Sequence, residues 1–555
     1  MFDFSKSCLF SIILLLLTVN FTTAQLVFAG DVNEQTAKSK SIYDRQMKAL
    51  EMQEPELAGE ALSEPEGESP VRSRYEFIVR KISLEGPEKF IESHSLLTLL
   101  AAYNGRTVSE ADLHVLLEKL NKRLAEEGYV TTRAVILPQN IKAGNLSITI
   151  IPGRIHAFLC AENTAPLHWQ NAFPASAGDI LNIRDLEQGL ENLRRPCGQD
   201  VKMKIAVAGD KGESDVILYG LRGKPWGLTL TTGNHGNEAS GKYRGQVHFT
   251  LGNPFSANDN LTISLGGNDY HAGTYREYRQ NSISYSIPYK NYFLSWRYYR
   301  SDTGQPLAGV FGTWPYRSKI RGQELTLQGR MYRDGKSRVQ GFLTLGTYHK
   351  KNYIGSAELR IQRVKKTNAE IGISHDRYFS EGQMNTRLSL SKGLSWLGAQ
   401  DDAFYGNAFS TRGWIWNLNF SFLKNMCLGR QQVRYRALFH GQQSSRCLCN
   451  ADEISIGGLY TVRGFTGEQM FSGKSGWYLQ QELQWQWKQM QPYVGFDAGK
   501  IYGTRDGKSV LYGLVLGIRG GNMLFYDVSA GVPLIQPDGW KKNRVVIYAE
   551  AGIRF

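Results

Sequence analysis

From Lys224 to Phe555 the chain repeats one pattern: segments of about ten residues in which apolar and polar positions alternate, separated by clusters of turn residues. In the clearest, Trp477, Leu479, Leu483, Trp485 and Trp487 share a parity against Tyr478, Gln480, Glu482, Gln484, Gln486 and Lys488. In another, Trp414, Trp416, Leu418, Phe420 and Phe422 oppose Asn417, Asn419 and Ser421. A strand sends neighbouring side chains to opposite faces, so each segment has one apolar and one wet face. A soluble sandwich alternates too. A long series with aromatics near the segment ends is instead the signature of strands that cross a membrane. About 16 or 17 segments are legible, with blurred boundaries between 352 and 391, and a barrel whose upstream modules and C-terminus share one side needs an even number. The last five are cleanest, near 476–488, 492–501, 510–519, 522–532 and 543–555. If the last descends to the periplasm, the long segment 452–473 must lie on the outer side.

Upstream of residue 223 the period changes. Asn33 to Gln53 is charged and free of Pro and Gly, which predicts a helix of roughly 30 Å, long enough to span a barrel. Residues 54–73 carry Glu, Pro, Gly and Ser with almost no large apolar side chain, a linker composition. Phe77, Val79, Ile82 and Leu84 then alternate as a strand, and two helical stretches follow. The second opens with Ser109 and Asp112 in capping-box spacing and repeats Leu113, Leu116, Leu117, Leu120 and Leu124 on one face before Gly128. Strands at Tyr129 to Leu137 and Leu146 to Ile151 complete a β-α-α-β-β unit over 74–152. The same order is expected to recur over 153–222. There Asn182 and Asp185 cap a helix with Ile183, Leu186, Leu190 and Leu193 on one face, ahead of strands near 201–207 and 214–221. Two tandem copies of one small α+β module point to adaptor domains.

Composition narrows the class. At 555 residues the chain has room for several domains. With 41% hydrophobic residues, mean hydropathy of −0.35, 58 Gly and 28 Tyr, it does not suit a helical membrane protein. The apolar run Cys8 to Val19, behind Lys6 and ahead of Thr22, Thr23 and Ala24, has signal-peptide length, so residues 1–29 read as a signal peptide cleaved after Ala24 or Ala29. Any other membrane residence must be as strands. Export permits disulfides: Cys160 and Cys197 fall in the second module and can pair, whereas Cys427, Cys447 and Cys449 leave an odd thiol. The net charge of +14 suits basic residues alternating into a wet lumen and an anionic lipopolysaccharide surround. No basic stripe with interleaved aromatics sits on a nucleic-acid reading module. The sequence shows no H-E-x-x-H, P-loop, G-x-S-x-G or metal-ligand spacing, so it offers no catalytic, cofactor or metal site.

Two features converge: a terminal strand with Val545, Ile547, Ala549, Ala551 and Ile553 ending on Phe555, and the loop segment Thr461-Val462-Arg463-Gly464-Phe465. Together they resemble the Omp85 superfamily and, within it, the two-partner secretion translocators. Gly128-Tyr129-Val130 with Arg133-Ala134, the run Leu181 to Leu193 and Gly252-Asn253-Pro254-Phe255 carry the likeness over nearly the whole chain. An Asp often seen at the start of Gly233-Asn234-His235-Gly236 is glycine here.

The resemblance implies an all-β transmembrane barrel of sixteen antiparallel strands over 223–555, preceded by two α+β POTRA domains and an N-terminal plug helix. It implies that loop 452–473 folds into the barrel and that Arg463 meets Asp497 of Phe496-Asp497-Ala498-Gly499. Parity supports the pairing independently: Val494, Phe496 and Ala498 make an apolar face, so Tyr493, Gly495, Asp497 and Gly499 look inward, and the two glycines leave room for a loop. In the second module Asn182, Arg184, Asp185, Glu187 and Gln188 form the family's motif, expected to pack its helix first and to make contacts second. The implied partners are a large secreted exoprotein, bound to the POTRA domains by strand addition, outer-membrane lipid and lipopolysaccharide, and the barrel assembly machinery, for which Phe555 is the C-terminal signal. The alternatives are an Omp85-type assembly factor and a porin or receptor.

Overall fold

The computed structural model describes residues 29–51 and 76–555, apart from 142, 162–166, 210–211, 269–274, 310–311, 407, 504–508, 536, 538 and 542–543. The signal-peptide stretch up to residue 28 and the linker 54–73 lie outside the described residues. The first element is a helix, α1 (Ala29–Glu51).

The first module holds β1 (Glu76–Val79), β2 (Lys81–Glu85), α2 (Glu88–Ile91), α3 (His94–Ala101), β3 (Arg106–Ser109), α4 (Glu110–Glu126), β4 (Arg133–Val135) and β5 (Asn145–Ile151). Strands β2, β5 and β4 form one sheet in that order, and β1 pairs with β3 beside it. The capping box forms as the spacing predicts: the Asp112 backbone N–H donates to Ser109 Oγ, and the Ser109 N–H donates to Asp112 Oδ2 at 2.8 Å. Leu116, Leu120 and Leu124 of α4 are fully buried against Ile148 and Ile150 of β5. Each such leucine stabilises the module by about 1.5–3 kcal/mol.

The second module is leaner. It holds β6 (Arg154–Cys160), α5 (Ile183–Arg194), β7 (Gln199–Val207) and β8 (Glu213–Arg222), with sheet order β6-β8-β7. The expected first helix is reduced to a single 3-10 turn, Trp169–Asn171. In the sequence Pro166 and Pro174 leave only residues 167–173 between them, and a proline disfavours helix both at itself and at the residue before it, so the stretch has no room for two full turns. Cys160 and Cys197, which the sequence allows to pair, are both free thiols. Cys160 ends β6 on an exposed surface, while Cys197 follows α5 and turns to the barrel rim, where its N–H donates to Asn260 Oδ1 at 3.2 Å.

The barrel strands run β9 (Trp226–Gly233), β10 (Arg244–Gly252), β11 (Asn260–Asn268), β12 (Glu277–Tyr289), β13 (Tyr292–Gly309), β14 (Gly312–Arg333) and β15 (Ser337–Ile354). After β16 (Ala357–Glu358) come β17 (Val364–Phe379), β18 (Gly382–Leu394), β19 (Trp414–Leu428) and β20 (Gln431–Ser444). Beyond the loop hairpin β21 (Ile454–Ile456) and β22 (Phe471–Gly473), the barrel resumes with β23 (Ser475–Trp485), β24 (Met490–Tyr502), β25 (Val510–Gly520), β26 (Leu524–Ile535) and β27 (Val546–Arg554). The doubtful segment is β16: its two residues only fold back on Tyr353 and Ile354, while β15 pairs onward with β17. The closed wall is therefore the even sixteen, all antiparallel, with β27 sealing against β9 from Glu550↔Gly233 to Arg554↔Thr229.

Parity decides which face is wet. Leu325 and Leu327 of β14 are 43% and 44% exposed on the outside, whereas Tyr316 and Ile320, of the opposite parity, are buried inside. With β9 starting from the second module and β27 ending beside it, the turns between β12 and β13, and between β14 and β15, share the module's side of the membrane.

Candidate functional site

The lumen is filled by two inserts. The first is the long loop between β20 and β23, which turns inward as the β21–β22 hairpin and ends in the Val462-Arg463-Gly464-Phe465 tip. Val462 and Phe465 join Ile454, Ile456, Tyr478, Ile501 and Leu511 in an apolar cluster inside the barrel. Phe465 also meets the Trp540 ring edge-on at 5.7 Å. This greasy seat lets a loop occupy an otherwise polar lumen.

Arg463 is buried at the tip. Its Nε donates to Asp497 Oδ2 at 2.7 Å and its Nη2 to Asp497 Oδ1 at 2.8 Å, a bidentate pair, and its own backbone N–H donates to Oδ2 at 2.9 Å. Its Nη1 donates to Glu482, whose carboxylate also takes Arg436 at 2.7 Å and Arg519 at 2.9 Å. Two buried carboxylates thus face three guanidiniums, an arrangement in which each charge depends on its partners because water cannot replace them. Arg519 continues to Asp527 at 3.4 Å, and Tyr493 OH donates to Asp527 at 2.7 Å.

Close approach of the tip needs missing side chains. Gly464 sits at φ +100°, where other residues are strained, and its N–H donates to Tyr548 OH at 3.1 Å; that hydroxyl in turn donates to Phe465 O at 2.6 Å. A methyl group on Gly513 would lie 1.7 Å from the Arg463 carbonyl oxygen, and one on Gly499 would lie 2.9 Å from Val462 Cγ2. The structure therefore brings Val462, Arg463, Gly464, Phe465, Asp497 and Gly499 together. Phe496 is not among them: it is 40% exposed on the outer face and stacks near Tyr512. Glu482, Arg436, Arg519, Tyr548 and Gly513 were missed by sequence reasoning. The only signal was parity, since Glu482 faces inward in the strand beside Asp497, where Gln480 pairs with Asp497.

The second insert is α1. Its polar residues Asn33, Gln35, Ser39 and Gln46 are buried in the lumen. Lys350 of β15 holds Asp31 at 2.5 Å and Glu34 at 2.8 Å, while on the far wall Arg244 donates to Asn33 Oδ1 at 2.5 Å and Asn33 Nδ2 donates to Ser240 Oγ at 2.9 Å. Lys38 donates to the Asp452 and Glu453 carbonyls at 2.8 Å, tying the helix to the infolded loop, and Tyr43 packs on Tyr460 with ring centres 5.7 Å apart.

The second module docks on the barrel through α5. Asn182 caps the helix, its Oδ1 accepting from the Arg184 N–H at 2.8 Å, and its Nδ2 donates to Glu127 O of the first module at 3.2 Å. The opposite, polar face meets the turn between β14 and β15. Arg330 pairs with Asp185 and donates to the Arg184 carbonyl at 2.8 Å. Arg333 reaches Glu187 at 3.1 Å, Gln188 at 3.4 Å and Glu191 at 3.0 Å, and Arg338 reaches Glu191 at 2.8 Å. Burial pulls the Glu191 carboxyl upward, but the guanidiniums of Arg338, Arg195 and Arg333 outweigh it and hold it well below the usual carboxylate range. In Glu187 burial wins over Arg184 and Arg333, and its carboxyl is raised. The motif residues thus pack the helix on one face and hold the barrel turn with the other. Phe555 lies at the seam, its N–H donating to Leu228 O at 2.9 Å.

A sixteen-stranded barrel carrying two POTRA modules, with a loop and a helix inside, defines an outer-membrane transporter of the Omp85 superfamily. Residues 212–520 match the haemolysin secretion/activation protein family ShlB/FhaC/HecB, 77–153 match the ShlB-type POTRA domain, and 154–206 match a further POTRA domain. The chain belongs to the ShlB/FhaC/HecB family. It is 31% identical over 463 residues to the outer membrane transporter CdiB-2 of Burkholderia pseudomallei strain 1026b, covering 81% of this chain and 79% of that one. It is 27% identical to the haemolysin transporter protein ShlB of Serratia marcescens, covering 74% and 73%. The solved CdiB of Acinetobacter baumannii superposes with a TM-score of 0.81 at 25% identity, covering 96% of this chain and all (100%) of that one. The protein is accordingly an outer-membrane transporter of two-partner secretion, with its POTRA domains in the periplasm.

Proposed function

We propose that this chain secretes one large exoprotein, an adhesin, haemolysin or toxin, through a lumen that α1 plugs at rest. The client binds the POTRA domains by adding a strand to a sheet edge, displaces α1 and crosses unfolded, and its folding outside supplies the drive. The Arg463–Asp497 pair fixes the infolded loop at one depth, so that the conduit stays gated. Barrel assembly machinery inserts the protein by its Phe555 strand, and lipopolysaccharide surrounds it.

The observation that carries the reading is the polar nature of the α1 contacts: hydrogen bonds worth about 0.5–1.5 kcal/mol net, or about 1.5–3 kcal/mol where a charged group takes part, between groups that water solvates once the helix has left the lumen. A permanent structural helix would bury an apolar stripe instead. A diffusion porin has no use for either insert or for a docked adaptor, and two modules make a short array for an assembly factor. Deleting residues 76–222 and measuring the client in the medium tests the reading: secretion stops while the barrel remains in the outer membrane, and unchanged secretion overturns it.

A further inference from the structure

The outward face of the barrel is uneven in charge. Register aligns outward side chains of neighbouring strands into rows. Across β12–β15, the row Tyr285, Trp296, Leu325, Leu345 is dry, as is the row Ile287, Leu294, Leu327, Leu343. Two rows nearer the outer side than the first, the register sets Arg300, Arg321, His349 and Lys365 side by side on β13, β14, β15 and β17. The next row is Arg279, Asp302, Lys319 and Lys351, and beyond it stands Arg317. The alternate residues, Ile320, Tyr348, Lys350 and Lys366, are buried on the luminal side, which settles that the basic rows face out.

Like charges directly opposite one another destabilise a sheet, and local carboxylates do not balance these. Glu277 takes Arg279 at 3.2 Å, Asp302 takes Arg300 at 2.5 Å, and Glu358 lies 3.8 Å from Lys351. Among the described residues, no carboxylate comes within ion-pair distance of Arg317, Lys319, Arg321 or Lys365. The opposite wall differs: the matching row on β23, β24 and β25 is Trp477, Lys500 and Val510, with Leu479, Ala498 and Tyr512 below it. Height differs as well. Strands β13, β14 and β15 have 18, 22 and 18 residues, against 11 and 9 in β25 and β27. About 9–11 residues suffice to cross the hydrocarbon, so the tall wall rises beyond the acyl chains.

We propose that the β12–β17 wall binds the phosphorylated glycolipid of the outer leaflet, its acyl chains on the dry rows and its phosphates in the rows of Arg300, Arg321, Lys319 and Lys351. Arginine matches phosphate bidentately, and lysine adds point charge. The proposal rests on outer-membrane residence and adds which wall holds the lipid, and by what groups.

The full-length protein in detergent, titrated with diphosphoryl lipid A and read by native mass spectrometry, tests it. Wild type retains the lipid; the combined R300Q, K319Q and R321Q variant binds at least about tenfold more weakly; and K500Q on the other wall binds as wild type. Phosphatidylglycerol, offered in parallel, competes poorly. All four substitutions are surface exchanges, and heat-modifiable migration on gels checks that each barrel is closed. Equal retention by the triple variant, or equal competition by phosphatidylglycerol, overturns the proposal. Recovery of wild type outside the outer membrane would instead indict the placement on which it rests.

Discussion

Replacing Arg463 with Ala strips the buried Asp497 carboxylate of both guanidinium bonds, leaves it only the residue 463 backbone N–H, and removes one of the three cations around Glu482. Breaking a buried pair from one side costs about 3–5 kcal/mol, because the remaining charge stays uncompensated. Arg463→Ala is therefore expected to undock the loop and cut secretion at least about tenfold, with the barrel still recovered from the membrane. Asp497→Ala is expected to do the same, and the double variant to be little worse than either single one, since both remove one interaction. Normal export by both single variants, measured as client in the medium against barrel abundance, would sink the role of the pair. Asp497 was legible because strand parity alone turns it inward. Glu482 was visible as a polar-face residue but not as a site, since Arg436 and Arg519 reach it from other strands and sequence spacing does not reveal that convergence. Gly513 was silent too: a strand glycine states that something comes close, not what.

Helix α5 couples module to barrel, and its charges give the coupling a pH signature. Glu191, held below its ordinary value of 4.5, contributes fully above about that pH and loses its contribution as pH falls toward the lower docked value. Glu187 runs the other way: with its carboxyl raised, it protonates earlier and favours the docked state as it does so. The dock is thus expected to hold from neutral pH down to about 4.5 and to loosen below it. Spin labels on the second module and on the turn between β14 and β15 would report this as a distance distribution that broadens only in the lower range. Glu191→Gln is expected to broaden it at neutral pH by leaving Arg333 and Arg338 under-paired; an unchanged distribution would mean the charges do not set the angle. At this scale the apolar stripe of α5 was plain from its period. The partners of its polar face lie more than 130 residues away in the chain, beyond any spacing argument. The lost first helix of the module was the reverse case, since Pro166 and Pro174 announced it and the repeat of the first module overrode them.

The whole molecule is a wall legible from alternation to within one strand, sixteen or seventeen, around a filling that alternation could not describe. A polar helix carries no mark saying whether it lies in a lumen or in the periplasm; only the resemblance put α1 inside, and the structure supplies its contacts. Its 23 residues span roughly 34 Å at the helical rise. Residues 52–75 separate it from the first module, a length that reaches at most about 86 Å when extended, enough for the helix to leave the lumen without leaving the molecule. If transport requires that exit, pinning the helix must stop it. Asn33 and Ser240 touch through their side chains at 2.9 Å, so Asn33→Cys with Ser240→Cys, in a background where Cys160, Cys197, Cys427, Cys447 and Cys449 are serines, puts two thiols across the helix and the wall. Oxidised protein is expected to secrete at background level and to stay electrically closed in a planar bilayer, and a reductant to restore both flux and gating. The single-cysteine variants control for the substitutions themselves. Secretion at the wild-type rate with the crosslink demonstrably closed would show that the client passes beside α1, and the lumen would then be a shared channel with a fixed helical lining.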